Sequence, residues 1–277
     1  MQKFQLQLLF QIIGVGSASG LVYKDDTLYL ISDNSGYLYE YNLPTSDLKK
    51  HPLFENPTEN IPKPIKPDFE SITLFGDHCY LFGSGSTPNR NSLMQWNTQS
   101  KTVISKKDLA DLYLSMQAFE DIDTDNFNIE GSIYDGKNWY ILNRGNGNKP
   151  KNVIFTVAGK NLTSEFSLLS NVFDLPKING YNSSFTDAIC VDDKIYFLAA
   201  AENSNSTYLD GEVVGSLVGC IDIEKMTIDF TQKISDTHKF EGITLFHDSK
   251  DQIEFLLCED NDTEILASGI YQLTLNK

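Results

Sequence analysis

One layout occurs five times along this chain at an even spacing, and it restricts the possible folds more than any other feature. The copies run SGLVYKDDTLYLI from Ser19, ESITLFGDHCYLF from Glu70, EGSIYDGKNWYIL from Glu130, TDAICVDDKIYFL from Thr186 and EGITLFHDSKDQIEFLL from Glu241. Each opens on a short apolar strand. A tight turn of Asp, Gly, Lys or Asn follows, then a second strand of β-branched and aromatic residues. After a polar loop comes a third strand (37–43, 92–97, 152–157, 213–223 and 268–275). A more variable fourth strand, such as those around Val103 and Thr227, ends the unit.

Four antiparallel strands per unit is the pattern of a propeller blade, whereas a sandwich shows no fixed long period. From Ser19 to Glu70, Glu130, Thr186 and Glu241 the steps are 51, 60, 56 and 55 residues. The step from Glu241 through the C-terminus and round to Ser19 is again 55, which disfavours a sixth blade. The spacing predicts an all-β, five-bladed β-propeller in one domain. Its blades cover about 14–55, 67–118, 127–175, 183–235, and 238–277 with 3–13. The fifth unit ends after its third strand, so the segment 3–13 is expected to pair beside 270–274 as the outer strand of the last blade. Gln5, Gln7 and Gln11 fall on one face of that segment, as in a strand, and interrupt the apolar run a leader peptide needs. A short helix is expected over 108–118. The loop 203–212 and the proline-rich connector 60–68 are the other embellishments.

Charge narrows the function. With 22 Lys+Arg against 38 Asp+Glu, the net charge of −16 excludes phosphate-backbone binding to nucleic acid as the main task, and docking on anionic lipid. No run is long and apolar enough for a membrane span. A soluble monomer with room for bound cations is the expectation. Cys79, Cys190, Cys220 and Cys258 are widely separated and sit in apolar runs. They read as buried thiols of a reducing compartment, which makes the cytoplasm the expected location, with secretion or the periplasm as the alternatives.

Inner strands line a propeller's channel, so equivalent residues at their starts meet on its axis. Those residues are Ser19, Glu70, Glu130, Thr186 and Glu241. Three converging carboxylates cannot all stay ionised uncompensated. A hard cation such as Ca²⁺, with oxygen ligands, answers this; backbone N–H groups, water or a lysine answer it equally. Second-strand ends reach the same face, so Asp33, Arg90, Arg144, Glu202, Glu259 and Asp260 should surround the ring. Arg90 and Arg144, the chain's two arginines, either converge on an anionic group or pair with local acids. His51, His78, His238 and His247 fall in connectors and turns away from that face.

The ring Ser–Glu–Glu–Thr–Glu resembles that of the calcium-activated nucleotidase (apyrase) family. The stretches from Ser19, from Ile129 to Arg144 and from Phe240 carry the likeness, over about a quarter of the chain. The resemblance implies a five-bladed propeller with one axial Ca²⁺, ligated by Ser19, Glu70, Glu130, Thr186 and Glu241, in a nucleotide hydrolase. Ser32, Asp33 and Asn34 stand where the family has an acidic pair followed by Arg, and the loop ending at Arg90 differs from the family's.

Two functions follow. One is a metal-dependent hydrolase of a small phosphorylated or anionic substrate. There the cation polarises a phosphoryl oxygen, Arg144 takes developing charge, and Asp33 or Glu202 orients water, with Arg90, Glu259 and Asp260 as further ligand contacts. The other is a non-catalytic propeller with a structural cation that binds a small ligand or a protein partner.

Overall fold

The alternation of β-branched and aromatic residues with turn residues yields five sheets, each of four antiparallel strands, in a computed structural model of the chain. The structure describes residues 3–203, 211–260 and 265–277, so most of the expected loop 203–212 lies outside the described residues. The first blade holds β2 (Ala18–Lys24), β3 (Thr27–Ser32), β4 (Tyr37–Asn42) and β5 (Asp47–Pro52). The second holds β6 (Phe69–Phe75), β7 (His78–Gly83), β8 (Ser92–Asn97) and β9 (Thr102–Asp108). The third holds β10 (Ile129–Tyr134), β11 (Asn138–Asn143), β12 (Asn152–Ala158) and β13 (Leu168–Phe173). The fourth holds β14 (Ser183–Val191), β15 (Lys194–Asn203), β16 (Glu212–Asp222) and β17 (Thr227–Ser235). In the fifth, β18 (Phe240–Asp248), β19 (Gln252–Glu259) and β20 (Ala267–Asn276) are completed by β1 (Phe4–Ile13).

Local chemistry sets the hairpins. Asp25 and Asp26 take φ of 49° and 57°, a left-handed conformation that short polar side chains tolerate, and Gly76 takes 62° in the equivalent turn. All five inner hairpins slip register by one residue at the same place. The unpaired residue is Ser19, Glu70, Glu130, Thr186 or Glu241. A bulge re-aims the side chain of its extra residue, and here it does so at every ring position. Just beyond, the strands crowd. A Cβ added to Gly242 would lie 2.6 Å from Cys258 Sγ and 3.0 Å from Gly20 Cα, so the glycine after Glu241 is a packing requirement.

Between each pair of adjacent blades lies one apolar cluster. Tyr80 and Phe82 pack edge-on against Trp139 at centroid distances of 5.2 Å, and Phe185 meets Phe197 at 5.1 Å. Each fully buried side chain of this size contributes about 1.5–3 kcal/mol. The helix, α1 (Ala110–Glu120), starts two residues later than expected because Asp108 ends β9 and its Oδ1 accepts the Ala110 N–H at 2.8 Å. Leu112, Tyr113 and Met116 join the cluster between the second and third blades.

The closure is as expected. Antiparallel to β20, β1 sets Gln5 opposite Thr274 and Phe10 opposite Ile270. Deleting residues 1–13 uncovers the whole β20 edge and strips Ile12 from the apolar neighbours it covers. The shortened protein is expected to form large aggregates by light scattering, and a monodisperse protein of unchanged melting temperature would contradict this closure.

Candidate functional site

The bulges turn the five ring residues toward the channel, and the structure sorts them into two kinds. Ser19 Oγ donates to the Phe69 carbonyl at 2.6 Å, and Thr186 Oγ1 donates to the Phe240 carbonyl at 2.7 Å. Both hydroxyls thus stitch one blade to the next. The three glutamates form the charged part of the ring.

Arg144, immediately after β11, reaches into this ring. Its Nη1 donates to Glu130 Oε1 at 3.1 Å and lies 3.9 Å from Glu241 Oε1; its Nη2 donates to Glu202 Oε1 at 3.0 Å. Lys239, one residue before β18, places Nζ 2.8 Å from Glu241 Oε1, 3.0 Å from Glu202 Oε1 and 3.7 Å from Asp260 Oδ2. The group is sealed: Glu130, Arg144 and Lys239 are 3%, 5% and 4% exposed. Burial and the neighbouring carboxylates push the Glu241 carboxyl well above the ordinary range, and burial also raises Glu130. Burial opposes ionisation of Glu202 as well, but the Arg144 and Lys239 charges on it prevail and hold it at about 2.

A second group flanks the ring. Lys66 pairs with Asp33 and, at 2.6 Å, with Asp68 Oδ1. Arg90 Nη1 meets Asp68 Oδ2 at 2.8 Å, and its Nη2 donates to the Lys63 carbonyl at 2.7 Å. Arg90 and Arg144 therefore do not converge on a shared anion position; each is engaged by acids of the chain. Asp33 Oδ1 is buried without a hydrogen-bond partner. Half-buried Glu70 has no hydrogen bond or ion pair among the described residues. Burial, then the carboxylates of Asp68, Glu130 and Asp33, push the Glu70 carboxyl well above the ordinary range. Ligand atoms of Asp33, Asp68 and Glu70 all lie within 4.8 Å of one another.

Among the described residues, the axial mouth thus carries the carboxylates of Asp33, Asp68, Glu70, Glu130, Glu202, Glu241 and Asp260 against Lys66, Arg90, Arg144 and Lys239. Ca²⁺ can be tested against this arrangement. At the centre, Glu130 and Glu241 already face protein cations. On the flank, Asp33 and Asp68 likewise face Lys66 and Arg90, but the Glu70 carboxyl and the orphaned Asp33 Oδ1 remain unengaged beside Asp68, and these hard oxygen donors suit a divalent cation.

Glu259 stands apart. It is held by His238 Nδ1 at 2.5 Å and by the Tyr271 hydroxyl, which donates at 2.9 Å. His238 therefore sits at the ring face and not away from it, because the residues leading into β18 start at that end. His51 likewise belongs to a strand, β5, where its Nε2 lies 2.8 Å from Glu40 Oε2. Cys79, Cys220 and Cys258 are buried as expected, but Cys190 is half-exposed because it lies near the far end of its inner strand.

The composition of the mouth includes three residues the repeat reading passed over: Lys66, Asp68 and Lys239. Two of these had a signal. Ser17, Asp68, Asn128, Ser184 and Lys239 all stand two residues before a ring position. Asn128 Nδ2 donates to Glu130 Oε1 at 2.6 Å, and Arg144 Nε donates to Ser184 Oγ at 3.3 Å, so this polar position also serves the mouth. Lys66 lies in the proline-rich connector, which has no repeat to mark it.

Comparison with known proteins supports the fold. The model of a family of unknown function, DUF6929, matches residues 14–275. No curated protein matches the chain in sequence. Glutaminyl cyclase of Myxococcus xanthus is similar in structure, with a TM-score of 0.55 at 12% identity over 98% of this chain and 97% of that one. The major Malassezia sympodialis allergen Mala s 1 gives 0.55 at 9% identity over 98% and 97%. A luciferin-regenerating enzyme gives 0.50 at 8% identity over 99% and 97%. Likeness at this identity concerns the fold alone.

Proposed function

The chain belongs to the DUF6929 family of unknown function, so its function has to be read from its own site, and we propose that it is a non-catalytic binding propeller whose axial mouth takes a divalent cation such as Ca²⁺ at Asp33, Asp68 and Glu70. One observation carries this reading: the unpaired Glu70 carboxylate beside the orphaned Asp33 Oδ1, in a cluster with more acids than bases. Glu70 and Asp33 are half-buried, so a cation held there keeps coordination positions open to a carboxylate or phosphate oxygen of a small ligand or a protein partner. The proposed site keeps the metal and Glu70 expected from the resemblance to calcium-activated nucleotidases, which the comparisons do not show, and places the other ligands on the flank of the ring instead of at its centre.

Hydrolysis finds less support. A carboxylate held near 2 is a poor base at neutral pH, which removes Glu202 from that role. Arg144 spends its guanidinium on three protein carboxylates and is not free to meet charge developing on a substrate.

Calorimetric titration of Ca²⁺ into chelator-treated protein tests the proposal. One site is expected. Glu70→Gln and Asp33→Asn should each weaken it roughly tenfold or more, and Lys66→Met should tighten it by removing the competing ammonium. No heat of binding, or an affinity unchanged by Glu70→Gln, would overturn the reading. A panel of nucleotides and phosphate esters should show no turnover with the cation present.

A further inference from the structure

The opposite end of the channel has a different chemistry. The last residues of the five inner strands enclose a funnel of about 290 Å³ with contributions from every blade. No charged side chain lines it, in contrast to the carboxylates at the other mouth. Its deeper wall is apolar, with Ile72, Ile133 and Ile243 at 4%, 5% and 2% exposure. Three aliphatic hydroxyls interrupt the apolar surface, while the hydroxyls of Tyr23 and Tyr134 donate to Asp26 Oδ1 and to the Gly136 carbonyl. Those of Thr73 and Ser132 are spent on each other and on the Ser132 carbonyl, at 2.6–2.7 Å. The Thr244 hydroxyl differs: its oxygen accepts the Tyr23 N–H at 3.0 Å, and its own proton has no acceptor among the described residues.

The geometry points to a second binding site here, for a neutral, largely apolar small molecule with one hydrogen-bond acceptor. Size and enclosure decide against a peptide, since blades surround the space on all sides and the volume is at the lower end for small-molecule pockets. The absence of charge in the wall decides against an ion, which would lose its hydration with nothing to replace it. Thr244 supplies the donor that orients the molecule. Cys190 lies at the half-exposed lip, where burial and the nearby aspartates Asp135, Asp192 and Asp193 push its thiol up to about 11, so it stays neutral and adds to the apolar rim.

A matched pair of fluorescent probes tests this. N-phenyl-1-naphthylamine is neutral, and 8-anilinonaphthalene-1-sulfonate is the same skeleton with a fixed charge. The neutral probe is expected to bind saturably at one site, and the sulfonate roughly tenfold more weakly or worse. Filling the funnel by Ala188→Phe, or its lip by Cys190→Trp, should weaken the neutral probe by a similar factor. Cys190 is only half-buried, so the lip variant perturbs the core less and keeps the test sound if the deeper variant misfolds. In the unaltered protein, the neutral probe should slow modification of Cys190 by methyl methanethiosulfonate, read by mass spectrometry. No saturable signal, equal binding of the sulfonate, or indifference to Cys190→Trp would overturn the proposal. Chelators should leave the probe's affinity unchanged, which separates this site from the carboxylate mouth.

Discussion

Replacing Arg144 by methionine is expected to destabilise the propeller by about 3–5 kcal/mol, the cost of removing one partner from a buried ion pair. For a chain of 277 residues that is a fall of roughly 5–9 °C in melting temperature. The reason lies in what the guanidinium touches. Glu130, Glu202 and Glu241 come from three different blades, and Arg144 lies within 3.0–3.9 Å of a carboxylate oxygen of each. Methionine fills the volume but leaves Glu202 and Glu241 with Lys239, and Glu130 with only the neutral Asn128 amide, among the described residues. Arg144→Lys should recover only part of the loss, because a single ammonium lacks the planar fork that reaches Glu130, Glu202 and Ser184 together. Adding Glu202→Gln to Arg144→Met should recover another part by removing one of the stranded charges. Thermal melts of the four proteins check this. A catalytic arginine would behave differently: its loss would abolish turnover while the melting temperature stayed put.

The second large effect is a dependence of stability on pH that runs opposite to ordinary acid denaturation. Glu70, Glu130, Glu241 and Asp187 all have carboxyls raised above their ordinary values, burial being the largest cause in each. These four groups then hold more protons in the folded protein than in the unfolded chain between the unfolded carboxylate value of about 4 and their raised folded values. Stability contributed by these groups is fully present below the unfolded value and is lost as pH rises through the folded values. The slope is up to about 1.4 kcal/mol per pH unit for each group that titrates. Glu202 works in the other sense. Its folded value of about 2 gives stability present above the unfolded value and lost as pH falls toward 2. Melting temperature without metal should therefore peak on the acidic side, near pH 5, and fall toward pH 8. Saturating Ca²⁺ should flatten that fall, because a cation replaces the protons that the carboxylates give up. At a hundred times its dissociation constant, a ligand adds about 2.7 kcal/mol. A melting temperature that rises from pH 5 to pH 8 and ignores Ca²⁺ would contradict this linkage.

Much of this architecture was legible in the sequence. The even spacing of Ser19, Glu70, Glu130, Thr186 and Glu241 gave the number of blades, and the missing outer strand of the last unit gave the partner of the N-terminal segment. The same five positions proved to be the bulges, which a repeat can mark but whose backbone register it cannot show. The counter-ions were harder to see. A lysine in a proline-rich connector looks like any solvated lysine, yet Lys66 folds back onto Asp33 and Asp68. Lys239 stands beside a ring glutamate in sequence, and only the closure of the blades brings it to Glu202 and Asp260 as well. Arg90 and Arg144 occupy matching loops, but each loop turns its arginine toward its own acids, a choice of side-chain direction that spacing does not encode. His238 was misplaced because a connector residue one step from a strand can lie at either face, and here it lies against Glu259.

Whether Asp33, Asp68 and Glu70 hold a cation can be read directly by anomalous diffraction from crystals soaked in Mn²⁺, a heavier ion that accepts the same oxygen donors. One peak is predicted, on the flank of the axis among Asp33, Asp68 and Glu70. A peak at the centre of the ring between Glu130 and Glu241, or a mouth without any peak, would contradict it.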